Sequence, residues 1–214
     1  MRIQNSIPPI DGGSPTDLIR FPEPRREGGP SLESTLQRRR SVRGFRPEPI
    51  NLAEVGQLLW AAQGVTSADG KRTAPSAGGT YPLETYLVAG AVEGFAPGVY
   101  HYLPAEHALA LRVAGDVRTE LAAISMKQEC VRTSAVSILF ATVVARTAAK
   151  YGASAESYVD MEAGHAAQNL SLQAVGLDLG AVMIGAFEAE AVVSLLRLPP
   201  EHRPRYDAAV GRPQ

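Results

Sequence analysis

The chain has 214 residues, 45% of them hydrophobic and 20% charged, with a formal net charge of -1, the profile of a globular protein built as one large or two small domains. So even a balance excludes the overall basic field that holds nucleic acid or an anionic membrane, and no run of about 18 apolar residues offers a membrane span. Cys130 is the single cysteine, so no intramolecular disulfide forms, and residues 1–30 carry no apolar secretory core; a cytoplasmic location is expected.

In chain order, residues 1–30 hold Pro8-Pro9, Gly12-Gly13, Pro22, Pro24 and Gly28-Gly29-Pro30. That composition forbids a long helix or a central strand and reads as an arm, disordered or laid over a partner, ahead of a domain at 31–214. Ser31 is placed to cap a helix through Leu32 and Leu36 that Pro47 and Pro49 close off. Asn51 to Glu54 reads as a capping box, and Leu52, Val55, Leu58, Leu59 and Ala62 recur at helical spacing up to Gly64. Residues 65–82 form a loop of small residues, long enough to suggest function. Strands are predicted at Glu84–Ala89, at Gly98–Leu103 and Leu109–Val113 as a hairpin, and at the β-branched run Val136–Ala145. Asp116 is placed to cap a helix through Leu121 and Ile124. The longest helix is expected over 155–176, with small residues on one side that suit close packing of a partner helix. A strand at Leu179–Ile184, a helix at Glu188–Leu196 and a strand at Tyr206–Val210 complete the chain. Hairpins among interleaved helices give an α+β class, with a mostly antiparallel central sheet packed by helices.

Two motifs carry chemistry. Arg39-Arg40-Ser41-Val42-Arg43 gathers three guanidiniums and a hydroxyl at a helix end, a donor set that suits a phosphate. Pro75-Ser76-Ala77-Gly78-Gly79 has almost no side-chain bulk, so a flat ring can approach the backbone. A phosphate at one end and a flat heterocycle at the other describe flavin mononucleotide. Glu162 and His165 lie three apart on one helix face, but no third ligand is recognisable nearby, so satisfied polar groups are expected and no metal. No glycine spacing matches a dinucleotide fingerprint or a P-loop.

These motifs, with Gly98-Val99-Tyr100-His101-Tyr102, Lys150-Tyr151-Gly152, Glu162 to Leu170 and Ile184-Gly185-Ala186-Phe187, occur in an order that resembles the nitroreductase family of flavin mononucleotide (FMN) enzymes. The match is nearest to its SagB-type thiazole/oxazole (azoline) dehydrogenase branch, from about residue 31 onward. The resemblance implies a homodimer with FMN at the subunit interface. It implies that Arg39 and Ser41 contact the flavin phosphate, with Arg40 between them and Arg212 as a further contact. Arg43 matches the cation that reaches the ribityl chain and pyrimidine edge, where it stabilises the anionic reduced ring. Pro75, Ser76, Ala77, Gly78 and Gly79 match the loop laid against the ring from the other subunit. Gln128 matches a ribityl-contacting position, and Gly185 and Ala186 match the backbone that meets N5.

Lys150 and Tyr151 match the pair that the azoline branch uses for proton removal. The stretch after Gly152 lacks the arginines common there. The resemblance thus implies an oxidoreductase acting on an azoline peptide or another small molecule. The alternative is an NAD(P)H-dependent reductase of nitro compounds or quinones, in which the nicotinamide binds transiently over the flavin. A non-catalytic scaffold of a peptide-modifying complex is the reading from another class, and intact Arg39, Ser41, Arg43 and Gly185-Ala186 argue against it.

Overall fold

A computed structural model describes residues 18–214. Residues 1–17 of the expected arm lie outside the described residues. The elements are β1 (Ile19–Arg20), α1 (Leu32–Arg38), α2 (Leu52–Gln63), β2 (Leu83–Ala89), β3 (Gly98–Leu103), β4 (Ala108–Ala114), α3 (Arg118–Ile124), α4 (Glu129–Thr133), β5 (Val136–Thr142), α5 (Val144–Tyr151), α6 (Ala155–Gly176), β6 (Gly180–Ile184), α7 (Ala189–Leu196) and β7 (Arg203–Gly211).

The seven strands form one sheet in the order β1-β4-β3-β2-β5-β7-β6, and every neighbouring pair is antiparallel. The α+β architecture expected from the hairpin signals is the one observed. β5 lies near the middle of the sheet and is buried along its whole length. Its alternation feeds two layers: Val136, Ile138 and Phe140 join α2 and α6, whereas Leu139 and Ala141 join α3, α4 and α7. Each large side chain removed from water this way contributes about 1.5–3 kcal/mol. Asn51 and Glu54 cap α2 reciprocally: the Glu54 amide donates to Asn51 Oδ1 at 2.9 Å, and the Asn51 amide to Glu54 Oε2 at 2.8 Å.

Four features differ from the sequence expectation. The described end of the arm lies on its own chain: Ile19 and Arg20 pair with Leu109 and Ala108, and the Phe21 ring is buried in the core. Two residues carry too little pattern to be read as a strand. The run Val136–Ala145 splits, because Val143 donates to the Pro82 carbonyl at 2.8 Å and α5 begins at Val144. The N-cap of α3 is Val117; Asp116 instead accepts from the Arg118 amide at 3.1 Å and pairs with its guanidinium. The small residues of α6, Ala163, Ala166, Ala167 and Ala174, face the chain's own core, while Met161, Gly164, His165 and Gln168 are left outward.

Candidate active site

One edge of the sheet builds the first half of the site. α1 stops at Arg39, whose backbone turns extended (φ -55, ψ 126). Ser41 then bridges Ala181 in parallel, and Val42 donates to the Ala181 carbonyl at 3.0 Å. Ser41 and Val42 therefore meet β6 near its start, and its far end opens into exposed Gly185 and Ala186. Ala181 and Gly185 are four residues apart, about 13 Å at a strand rise of about 3.3 Å.

The arginines of this region differ in what they engage. Arg38 pairs with Asp178 at 3.0 Å, Arg46 with Glu48 at 3.6 Å, and Arg40 bonds the Gln37 and Arg39 carbonyls at 2.9 and 2.7 Å. Arg212, expected at the phosphate, makes a two-pronged pair with Glu54 at 2.8 and 2.9 Å, which commits its guanidinium to the start of α2. Among the described residues no side-chain hydrogen bond or ion pair engages the Arg39 or Arg43 guanidinium. At the other end of β6 a Cβ on Gly185 meets nothing nearer than the Tyr206 ring at 3.8 Å. Gln128 sits between α3 and α4. That turn abuts the one after β6, because Glu188 donates to the Ile124 carbonyl at 3.0 Å. Unpaired cations at one end and open backbone at the other fit a phosphate-bearing flavin.

The second half lies across the molecule's other loop. Gly78 (φ 60) and Gly79 (φ 66) take left-handed backbone, and Tyr81 follows at φ 44, a conformation that costs a residue with a Cβ about 1 kcal/mol or more. α5 braces this loop from below. Arg146 donates to the Tyr81 carbonyl at 3.0 Å, Thr147 bonds Thr80 at 2.9 Å, and Lys150 Nζ donates to the Gly78 carbonyl at 3.3 Å. These residues share one face at i, i+1 and i+4. A Cβ on Gly78 would lie 2.6 Å from both Lys150 Nζ and the Tyr151 hydroxyl. The Lys150-Tyr151 pair closes α5.

Arg146 is held in turn by Glu84, which also takes His101 Nε2 at 2.7 Å. Burial pushes the Glu84 carboxyl up, but hydrogen bonds from His101 and Arg146 outweigh it and hold it at about 2. The loop geometry is thus fixed by an ionised carboxylate on β2.

A family model described as the nitroreductase family matches residues 36–212. The chain belongs to the nitroreductase family. It is 40% identical over 167 residues to a candidate nitroreductase of Methanocaldococcus jannaschii, covering 78% of this chain and 84% of that one. Among solved structures, a candidate nitroreductase of Ralstonia eutropha superimposes with a TM-score of 0.81 at 29% identity, over 92% of this chain and 90% of the other. The Escherichia coli microcin synthetase McbBCD complex, solved with a truncated pro-microcin bound, contains a chain of the same fold, with a TM-score of 0.73 at 21% identity over 89% and 75% of the two chains. The chain is an oxidoreductase of this family. Among the described residues no helix is long and apolar enough to cross a membrane.

Sequence reasoning missed two buried carboxyls. Glu162, expected to be satisfied, is 2% exposed with Oε1 unpartnered among the described residues. Asp207 on β7 is buried with Oδ1 unpartnered, and its Oδ2 accepts from Ser137 at 3.1 Å. A Glu three residues before a His on a small-residue helix reads as a satisfied polar group. Only the placement of Ser76 and Arg72 over it shows otherwise.

Proposed function

We propose that this chain is a homodimeric FMN-dependent dehydrogenase that oxidises azolines to azoles, with the flavin at the subunit interface. The flavin, when bound, supplies hydride chemistry at N5. Arg39 and Ser41 hold its phosphate, and Arg40 shapes the turn between them. Arg43 presents a cation to the ring's pyrimidine edge, and Gln128 serves the ribityl chain. Gly185 and Ala186 present backbone at N5, and the loop Pro75–Gly79 of the other subunit covers the ring. Lys150 and Tyr151 remove the substrate proton that must leave with the hydride.

The observation that carries this reading is the contact of Lys150 and Tyr151 with Gly78. It joins the candidate base to the loop that lies against the ring, so a substrate stacked over the flavin meets both. The microcin synthetase likeness supports a peptide substrate. A second reading, an NAD(P)H-dependent nitro or quinone reductase, is favoured by the relative at 40% identity and uses the same flavin half-site.

The deciding experiment is anaerobic spectroscopy of the purified yellow protein. Bleaching of the flavin by a thiazoline or oxazoline peptide, with no response to NADH or NADPH, supports the dehydrogenase. Bleaching by a pyridine nucleotide, with no response to the peptide, supports the reductase.

A further inference from the structure

Beneath the loop Pro75–Gly79 the chain buries a polar group for which the proposed chemistry has no use. Glu162 lies on α6 with its Oε1 unpartnered, and Gln63 on α2 is fully buried with its Nε2 likewise unpartnered among the described residues. Arg72 stands between these elements, donating to Gln63 Oε1 at 2.7 Å and to the Leu83 carbonyl at 3.4 Å. Burial lifts the Glu162 carboxyl to about 7, against the opposing pull of the Ser76 hydroxyl and the Arg72 guanidinium. Of the elements packed against α6, the loop brings Arg72 and Tyr81, α5 brings Arg146, Lys150 and Tyr151, β2 brings Glu84, β7 brings Arg203, Arg205 and Asp207, α1 brings Glu33 and Arg38, and α2 brings Glu54 and the uncharged Gln63.

Ser76 connects this carboxyl to the outside. It is half-buried, its Oγ accepts the Tyr81 amide at 2.9 Å, and its hydroxyl is near enough to pull the carboxyl's proton affinity down. A hydroxyl with one acceptor site taken keeps its own proton free, and here it stands between a buried acid and the face of the loop.

We propose that Glu162 is a redox-linked proton site, which takes up a proton from solvent through the Ser76 hydroxyl when the flavin is reduced and releases it when the flavin is reoxidised. The inference rests on the flavin reading above. Two electrons and one proton leave the ring with a net negative charge. A carboxylate sealed beneath the loop that covers the ring is repelled by that charge, and the repulsion raises its proton affinity. By linkage, the neutral acid favours the reduced state by the same amount. The balance closes: above neutral pH each two-electron reduction consumes one proton at the ring and one at the Glu162 carboxylate. Both return to water when the electrons leave.

The test is electrochemical reduction of the flavin-loaded dimer at pH 8, with electrons counted from the current and protons from an indicator dye. Wild type is expected to take up about two protons per two electrons, Glu162→Gln about one, and Asp207→Asn, which alters the other buried carboxyl, about two. Ser76→Ala is expected to keep the count while slowing uptake by about tenfold or more. The reduced-minus-oxidised infrared spectrum should gain a protonated-carboxyl band that Glu162→Gln lacks. An unchanged count in Glu162→Gln, or a count of about one in wild type, overturns the proposal. Because the electrode supplies the electrons, neither result depends on the natural electron partner. A purified dimer that holds no flavin overturns the flavin reading and this inference together, whereas retained flavin with one proton overturns only the inference.

Discussion

Replacing Gly78 by Ala separates two costs that coincide at this position. The first is backbone: at φ 60 an L-residue pays about 1 kcal/mol. The second is collision, because the new Cβ falls 2.6 Å from Lys150 Nζ and from the Tyr151 hydroxyl and 2.8 Å from Lys150 Cδ. Both side-chain ends can swing away, so the chain still folds, but the Lys150–Gly78 hydrogen bond is lost at about 1 kcal/mol. The total of ~2 kcal/mol lowers Tm by ~4–8 °C in a domain of this size. Gly79→Ala is the matched control: φ is 66, yet its Cβ meets only the Tyr81 ring at 4.0 Å, so it pays the backbone cost alone, ~2–4 °C. Thermal melts and azoline turnover are measured on both. The expectation is that Gly78→Ala loses turnover by about 10²-fold while Gly79→Ala retains most of it. Equal turnover in the two variants would refute the argument that displacing Lys150 and Tyr151 is what matters.

The remaining expectations concern flavin and pH. Arg39→Glu should yield colourless protein that still sediments as a dimer; a fully yellow variant would remove Arg39 from the phosphate. Gly185→Val should melt near wild type, since the nearest atom to a new Cβ is at 3.8 Å, but lose flavin or turnover; wild-type kinetics would displace the N5 assignment. Arg212→Ala should cost about 2 kcal/mol by leaving Glu54 with the Asn51 amide as its one partner among the described residues while flavin content holds, and loss of flavin without loss of stability would reverse that placement. Burial raises the Asp207 carboxyl from its ordinary 3.8 to about 7, against hydrogen bonds from Ser137 and the Ala208 amide. A raised folded value means its stabilisation is full below the unfolded value and is lost as pH climbs to about 7. Asp207→Asn should therefore gain on wild type in denaturant melts between pH 4 and 8, and a gap that stays constant with pH would contradict it.

Local chemistry made much of this fold legible. The capping box at Asn51 and Glu54, the hairpin around Pro104 and the buried run in β5 follow from spacing and propensity alone, which act within a few residues. The phosphate-suited cluster at 39–43 was visible for the same reason. Contacts across the chain were not. Lys150 meets Gly78 across 72 positions, and Arg212 meets Glu54 across 158. No periodicity encodes which of several arginines is left unpaired. The split of the run 136–145 turned on one carbonyl, that of Pro82. Which small residues of α6 face the core was not legible either, because alanines serve a partner helix and an intrachain core equally well.

The contact of Ser41 and Val42 with β6 has a consequence for the edge of the sheet. The sheet ends in β1 on one side and β6 on the other, and a bare strand edge is a template for another chain. β1 is a two-residue guard against β4, whereas β6 is screened by a single bridge from Ser41 and the Val42 hydrogen bond. A chain that loses the Ser41 bridge therefore bares the outer edge of β6 to strand-to-strand pairing with another chain.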